Sequence, residues 1–333
     1  MKRFTQQTVS EEGARTDRNG VAIGGLQRAA VVQSIRDAAP PLAVSTAKAA
    51  FTAYGRATSG ARPLPDFLII GTKKGGTTSM MSWLIEHPDV LRMFPRMQRR
   101  KSPHYFDMNY ALGERWYRAH FPTSAARAIH TKRTGSNTLV GEASPYYMFH
   151  PAAAQRIHDT LPDVKLIVLL REPVARAYSN YWDRVATGHE SLPTFESAIA
   201  AEEERLSGVS AHELIDAKAY SYHHDHHAYF ARGRYAEQLR PFFSLFGSAQ
   251  MLVLPADRMF IDAQATFDRV QSFLDLRRTA VPLLPRNERK GYPPIAPNTA
   301  ARLKERYAPH NVDLFELLGE DFGWDTGSGA KNC

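Results

Sequence analysis

Cysteine is almost missing from this chain, because Cys333 is the sole one among 333 residues and no internal disulfide can form. No apolar run approaches the roughly 18 residues of a membrane span, and Glu11, Glu12 and Asp17 stand where a secretory leader would have its apolar region. No recognised nucleic-acid-binding module is present. We therefore expect a cytoplasmic protein with neither a transmembrane segment nor a nucleic-acid partner.

Charge and length limit the function further. Lys plus Arg number 42 against 34 Asp plus Glu, a net charge of +8 that favours anionic ligands and leaves peripheral contact with a membrane surface open. The length suits one large α/β domain. Breaks at Pro40, Pro41 and Gly60 predict a loosely ordered or helical extension over 1–60, a main domain over 61–326 and a tail over 327–333. Nothing indicates the oligomeric state.

The segment PDFLIIGTKKGGTTSMMSW, residues 65–83, predicts a strand, a phosphate loop and a helix. Glycines let the backbone approach an anion, and the positive end of the following helix points at the same place. The Walker A pattern of ATPases is not met, because here the lysines precede the glycines. The predicted anion-binding residues of the loop are Lys73, Lys74, Gly75, Gly76, Thr77, Thr78 and Ser79.

A second anion pocket is predicted after the apolar run VKLIVLL, residues 164–170, which is typical of a parallel strand buried on both faces. Arg171 follows directly, at the carboxyl edge where doubly wound sheets bind ligands. Pro173 suits the first turn of a helix, and Arg176, Ser179 and Asn180 share one face of it. Arginine can hold a phosphate through two hydrogen bonds.

These two motifs resemble those of sulfotransferases that use 3′-phosphoadenosine 5′-phosphosulfate (PAPS), in the group formed by the heparan sulfate enzymes and bacterial sulfotransferases. The run from Lys74 to Thr78 is similar to their K-x-G-T-[ST] loop, and R-E-P-x-x-R-x-x-S-x-Y is similar to their 3′-phosphate motif. Weaker matches follow at Gly233 and at the closing helix from about Pro297. The matches to their K-G-[FY] loop are Arg289, Lys290, Gly291 and Tyr292. The resemblance covers about residues 65–324.

The resemblance implies a P-loop-like three-layer α/β sandwich with a central parallel sheet. We expect strands at 67–70, near Glu142, at 164–170 and at 250–255, and two final helices after the last strand. It implies in-line transfer of a sulfuryl group from PAPS to a hydroxyl, less often an amine, of a carbohydrate, glycolipid or small natural product. Lys74 would stabilise the leaving phosphate, Arg171 and Ser179 would bind the 3′-phosphate, and no metal would be required.

On the acceptor side the chain departs from its relatives. The segment RRKSPHYFD, residues 99–107, is similar to their K-E-x-H-F-F-D, but Ser102 stands at the position of the glutamate that is their usual general base. His104 and Glu142 are the two candidates that remain for the base. The alternative for His104 is a hydrogen-bonded core histidine, and for Glu142 it is to orient another group or to cap a helix. The relatives' lysine after Glu142 is Ala143 here, which puts heparan-type recognition in doubt. The candidate acceptor-binding residues are Lys101, Ser102 and Tyr146.

A histidine cluster, residues 222–227 with the sequence YHHDHH, invites a metal-binding interpretation. Adjacent histidines point in different directions on a helix or a strand, so we favour a polar loop or a rim of the acceptor site.

Two other functions remain open. A P-loop nucleotide kinase would share the phosphate loop, but it would want a magnesium-binding carboxylate after a second strand, where this chain has Arg171. A non-catalytic relative that binds anions or glycans is suggested by Ser102.

Overall fold

A computed structural model describes residues 41–95, 101–208, 211–216, 218–285 and 291–324. The chain divides into two compact units, residues 1–50 and 51–333. The predicted boundaries at 60 and 326 stay predictions.

The strands are β1 (Phe67–Gly71), β2 (Val90–Leu91), β3 (Leu139–Ala143), β4 (Lys165–Leu170) and β5 (Met251–Pro255). The helices are α1 (Pro41–Ala57), α2 (Thr77–Glu86), α3 (Glu114–Arg118), α4 (Ser124–Thr134), α5 (Ala153–Thr160), α6 (Pro173–Ala186), α7 (Phe195–Ala200), α8 (Glu202–Ser207), α9 (Ala211–Ile215), α10 (Tyr222–His226), α11 (Tyr235–Leu245), α12 (Ala256–Ile261), α13 (Ala263–Phe273) and α14 (Pro297–Leu318).

The five strands form one parallel sheet in the order β2-β3-β1-β4-β5. Its central strand β1 is buried along its whole length, as the uninterrupted apolar run predicts. Side chains alternate between the faces, so Leu68 and Ile70 enter one core cluster while Phe67 and Ile69 enter the other. Helices cover both faces, and the α/β sandwich with a central parallel sheet is confirmed.

The order of the strands places the binding edge. Beyond β1 the chain first builds β2 and β3 on one side of it, then crosses to β4 and β5 on the other. The chain therefore leaves the carboxyl ends of β1 and β4 towards opposite sides of the sheet, which is the place where doubly wound sheets usually bind ligands. The loop after β1 carries Lys74, and the turn after β4 carries Arg171.

Some elements differ from the sequence expectations. The two-residue strand β2 is too short to give a periodic signal, and the sequence did not predict it. Two final helices were expected after the last strand, but α12, α13 and α14 follow β5, since Asp262 ends the short α12 and caps α13. In the described part of the chain, no helix is both long and apolar enough to cross a membrane.

Candidate active site

The phosphate loop joins β1 to α2 and lies tightly against the neighbouring strand. The amide of Thr72 donates to the carbonyl of Leu169 in β4 at 2.9 Å. A Cβ on Gly75 would stand 2.5 Å from that same carbonyl oxygen, so only glycine fits there. Gly76 caps α2 with a φ of 91° and offers no side chain to the first-turn amides. The strand, loop and helix are arranged as predicted, and no side chain caps the N-terminus of α2. Anion binding there stays a prediction.

The side chain of Lys74 extends from this loop to α6. Its Nζ lies 3.0 Å from Oδ1 of Asp183, and the other oxygen of that carboxylate, Oδ2, accepts a hydrogen bond from Arg184. Lys74 has a φ of 72°, and in the described part of the chain only His104 and Asp275 share positive φ among residues other than glycine. Backbone strain of this type is typical of functional sites, and two of the three residues are the predicted catalytic ones.

Lys73 turns to a different partner. Its Nζ donates to the backbone carbonyl of Asp225 at 2.9 Å and lies 3.2 Å from the Asp225 carboxylate. Burial lowers the pKa of Lys73 to about 7, and the charges of Arg232 and Arg184 act in the same direction. The sequence did not foresee this link, because 152 residues separate the two partners.

The second predicted pocket follows β4 at the same edge of the sheet. Arg171 comes directly after Leu170, and its carbonyl accepts the hydroxyl of Tyr235 at 2.7 Å. Pro173 opens α6 as predicted, but the carboxylate of Glu172 accepts the amides of Val174 and Ala175. Because Glu172 already caps the helix, a phosphate here would be held by side chains and not by a free helix end.

The predicted K-G-[FY] residues lie partly within the described chain. Arg289 and Lys290 fall outside the described residues. Gly291 has a φ of 102°, and the ring of Tyr292 stacks on Trp182 of α6 with centroids 5.9 Å apart. Tyr178 of α6 meets the same tyrosine edge-on. Tyr292 thus packs on α6, the helix that carries Ser179. The side chain of Ser179 is buried.

The segment predicted to meet the acceptor, residues 101–107, begins at Lys101, which contacts both the sheet and the phosphate loop. Its carbonyl accepts the amide of Ala143 at 2.7 Å, and its Nζ donates to Oγ1 of Thr78 at 2.9 Å. Burial lowers the pKa of Lys101 to about 8, and the charge of Lys74 acts in the same direction. The structure therefore brings Lys101, Lys74 and the phosphate loop together.

Glu142 is completely buried beneath this segment. Its carboxylate accepts hydrogen bonds from Ser102 at 2.6 Å, Tyr117 at 2.6 Å and Tyr147 at 3.1 Å. Burial raises the pKa of Glu142 to about 7, although the three hydroxyl donors oppose the shift. Glu142 thus has no exposed surface, and both of its carboxylate oxygens already accept hydroxyl donors.

His104 is the more accessible candidate base, with a side chain that is 41% exposed. Its Nδ1 lies 3.0 Å from Oδ2 of Asp107, and Ser144 donates to the same carboxylate at 2.9 Å. Burial works to lower the pKa of His104, but the hydrogen bond and charge of Asp107 outweigh it, so the pKa is raised. With Nδ1 bound to Asp107, Nε2 is the ring nitrogen left to meet a substrate.

A wall beside the phosphate loop is built by α10, which the sequence predicted only as a polar loop or a rim of the acceptor site. Tyr146 is buried, and its hydroxyl meets Nδ1 of His224 at 2.8 Å. The guanidinium of Arg232 lies over the rings of Tyr146 and Phe149, and its Nη2 donates to the backbone carbonyl of Asp225 at 2.8 Å. Tyr146 thus packs against this wall, and its predicted contact with the acceptor stays a prediction.

The histidine cluster takes part in this wall. Burial lowers the pKa of His224 to about 3 and that of His226 to about 4, so both are neutral at neutral pH. His226 stacks on His189 and accepts a hydrogen bond from Arg184. Within the described residues no group of three or more His, Cys, Asp or Glu side chains is arranged to hold a metal ion.

Comparison with known proteins agrees with this fold and edge. The model of the sulfotransferase domain family matches residues 64–287, which is more than half of the chain. The chain therefore belongs to the sulfotransferase family.

Its relatives include human heparan sulfate glucosamine 3-O-sulfotransferase 3B1, with 32% identity over 291 residues, 80% of this chain and 66% of the human protein. Mouse heparan sulfate glucosamine 3-O-sulfotransferase 6 shares 30% over 290 residues, covering 80% and 75% of the two chains. The chain thus spans slightly under two thirds of the length of the first of these relatives.

The crystal structure of a sulfotransferase from Alicyclobacillus acidocaldarius superposes with a TM-score of 0.57 at 26% identity. The match covers 79% of this chain and 99% of that one.

Proposed function

We propose that the protein transfers the sulfuryl group of PAPS to a hydroxyl of a carbohydrate, glycolipid or small natural product. The observation that carries the proposal is that the two segments predicted to bind anions leave adjacent parallel strands at the same edge of the sheet: the loop with Lys74 after β1 and the turn with Arg171 after β4. PAPS has an anionic group at each end of its ribose, so a crevice with two such sites suits it. The family relationship supports the same donor.

In this proposal the donor is held without a metal. The backbone amides at the start of α2 and the side chains of Thr77 and Thr78 would hold the 5′-phosphosulfate. Arg171 and Ser179 would hold the 3′-phosphate, with Tyr292 and its neighbours packed over α6. The sulfuryl group carries less charge than a phosphoryl group, and lysine and arginine supply positive charge at the loop.

Transfer needs a cation where charge develops. As the S–O bond to the phosphate breaks, negative charge grows on the bridging oxygen, and the Nζ of Lys74 can stabilise it. Lys74 now contacts Asp183, so donor binding must compete with that carboxylate for the ammonium group. Both groups are largely buried, which strengthens either interaction relative to water.

The acceptor hydroxyl must also lose a proton, and we assign that role to Nε2 of His104. Asp107 orients the imidazole and stabilises its charged form, the usual arrangement of a histidine base. Glu142, the other candidate, lies behind Ser102 with its oxygens occupied by hydroxyl donors. We therefore expect it to shape the segment that carries His104 rather than to contact the acceptor.

Calorimetry with PAPS, with PAP (the nucleotide left after PAPS loses its sulfuryl group) and with ATP tests which donor the protein binds. We expect PAP and PAPS to bind more tightly than ATP, and the Arg171→Ala variant to lose most of its affinity for PAP. A preference for ATP over PAPS would contradict the proposal and favour a kinase. The same titrations with and without Mg²⁺ show whether donor binding depends on a metal.

Transfer itself is tested with ³⁵S-labelled PAPS and an extract of the source cells. The full chain should label an acceptor, and Lys74→Ala should not. A chain that binds PAP tightly but labels nothing would instead be a non-catalytic binding relative, the function that Ser102 leaves open.

A further inference from the structure

Ser144 is a buried serine to which the proposed reaction assigns no role. It follows directly on β3, at the carboxyl edge of the sheet, and it is completely buried. Its Oγ donates to Oδ2 of Asp107 at 2.9 Å and lies 3.2 Å from Nδ1 of His104. One hydroxyl thus contacts both members of the pair to which we assign removal of the acceptor proton.

Ser144 is also one of two adjacent residues through which the sheet holds the segment 101–107. The amide of Ala143 donates to the carbonyl of Lys101 at 2.7 Å, at the start of that segment. The hydroxyl of Ser144 binds the carboxylate of Asp107, at its end. Because β3 is a strand of the central sheet, the carboxylate is held by a rigid element and not only by its own segment.

The two oxygens of the Asp107 carboxylate have different partners. Oδ1 accepts the amide of Met108 at 2.7 Å. Oδ2 accepts the hydroxyl of Ser144 and lies 3.0 Å from Nδ1 of His104. A carboxylate that is bound at both oxygens cannot rotate without losing hydrogen bonds. Ser144 therefore keeps Oδ2 directed at the imidazole.

The same contacts decide which ring nitrogen of His104 carries the hydrogen. The hydroxyl hydrogen of Ser144 is used on Asp107, so Nδ1 meets acceptor lone pairs of the carboxylate and of Oγ. Nδ1 must then hold the hydrogen of the neutral ring, and Nε2 keeps the lone pair that can remove a proton. Without the hydroxyl, one acceptor at Nδ1 is lost and the other is free to rotate.

A serine, a histidine and an aspartate in contact also suggest a hydrolytic triad, but the arrangement differs. In such a triad the serine lies at one ring nitrogen and the carboxylate lies at the other. Here both oxygens lie at Nδ1 of His104, so the nitrogen without a hydrogen points away from Ser144 and cannot activate it. The complete burial of Ser144 also leaves a substrate no access to its hydroxyl.

We propose that Ser144 is a positioning residue, which holds Asp107 so that His104 keeps the tautomer and the orientation that a base at Nε2 needs. The proposal rests on the assignment of His104 as the base in the proposed transfer from PAPS. It adds a residue that acts through the histidine and does not touch the acceptor.

The first experiment observes the tautomer directly and needs no acceptor. Two-dimensional ¹H–¹⁵N spectra of the full chain labelled with ¹⁵N-histidine, recorded above the pKa of the ring, show which nitrogen of His104 carries the hydrogen. His104→Ala assigns the signals. We expect hydrogen on Nδ1 in wild type and a mixture of both tautomers in Ser144→Ala. Hydrogen on Nε2 in wild type, or the same tautomer in both proteins, would overturn the proposal.

The second experiment measures the rate of labelled transfer from ³⁵S-labelled PAPS to the acceptor in an extract of the source cells. Ser144→Ala should lower this rate roughly ten- to a hundredfold, because a base displaced by about 1 Å loses its alignment. PAP affinity, measured by calorimetry, should stay unchanged. Ser144→Thr keeps the hydroxyl and should recover most of the rate.

Ser59→Ala is the matched control. Ser59 is also completely buried, and within the described part of the chain its hydroxyl has no hydrogen-bond partner. The substitution should leave the rate and the His104 signals as they are in wild type. Urea denaturation checks that each variant is folded. If Ser144→Ala does not fold, Ser144→Cys takes its place, because a thiol has nearly the size of the hydroxyl and is a much weaker donor.

A double substitution separates positioning from a purely structural role. If Ser144 acts only through His104, Ser144→Ala should cause no further loss of rate in a chain that already carries His104→Ala. An equal loss with and without the histidine would show that Ser144 only supports the fold. Lack of transfer by the wild type would contradict the proposed function, whereas the spectra would still show whether Ser144 sets the tautomer of His104.

Discussion

The phosphate loop after β1, which we propose to bind the donor, and the wall around α10, which we propose to border the acceptor, are held in place by different kinds of contact. The loop over residues 71–77 depends on backbone contacts: Gly75 fits under the carbonyl of Leu169 in the adjacent strand β4, and Gly76 caps α2. The wall around α10 depends on side chains from remote segments, such as Asp225 on Lys73 and His224 on Tyr146. A local motif can therefore be read along the chain, whereas a wall made by distant partners cannot.

The same contrast explains what the sequence could predict. The central parallel sheet, the phosphate loop and the position of Arg171 follow from apolar runs and glycines that are contiguous in sequence. The pairs Lys74–Asp183 and Lys73–Asp225 are 109 and 152 residues apart, and nothing in a single sequence indicates them. The burial of Glu142 was also unforeseen, because two of its three donors, Tyr117 and Ser102, come from outside its own strand and loop.

The largest effect is expected on the donor side. Lys74→Ala should lower the rate of labelled transfer by roughly 10²- to 10³-fold, because one well-placed electrostatic group is lost from the transition state. PAP affinity, measured by calorimetry, should fall much less. Lys132→Ala, an exposed lysine at the end of α4, is the control and should be neutral. Equal losses in rate and in PAP affinity would show that Lys74 only binds the donor.

On the acceptor side, His104→Ala should lower the rate roughly 100-fold without changing PAP affinity, because the base acts on the acceptor alone. His158→Ala, on the partly exposed face of α5, is the control. If the rate of His104→Ala stays near that of wild type, the base lies elsewhere.

The pH profile sharpens this assignment. A base must be unprotonated, so the rate should rise with pH through a pKa above the ordinary value of 6.5, as Asp107 raises it. Asp107→Asn removes that charge and should move the rising limb to lower pH while reducing the maximal rate. If Asp107→Asn leaves the rising limb at the same pH, the group that titrates in the profile is not His104.

The packing of the phosphate loop against β4 can be disrupted by a substitution that changes no charge. Gly75→Ala puts a methyl group 2.5 Å from the carbonyl oxygen of Leu169, so the loop must shift, and PAP affinity should fall roughly ten- to a hundredfold. Gly60→Ala is the matched control, because nothing lies within 4 Å of the added methyl group. Normal PAP binding by Gly75→Ala would mean that the loop adapts freely.

The smallest effect concerns stability. The pKa of Glu142 is raised from 4.5 to about 7, so the folded protein holds a proton there that the unfolded chain releases. The free energy of unfolding should therefore fall as pH rises from about 5 to 7, and Glu142→Gln should reduce that fall by roughly 1–2 kcal/mol. Urea denaturation at both pH values measures it, with exposed Glu114→Gln as control. Equal falls in wild type and Glu142→Gln would contradict the raised pKa.

Lys73 ties the phosphate loop to the start of the acceptor wall, through one ammonium group shared between a carbonyl and a carboxylate of Asp225. In the proposed reaction, a phosphosulfate that draws this ammonium towards itself would loosen α10, and an acceptor that pushes α10 away would free the ammonium. By thermodynamic linkage the two ligands must then alter each other's dissociation constants by one common factor. One amine would thus couple the affinities of the two ligands, whichever of them binds first.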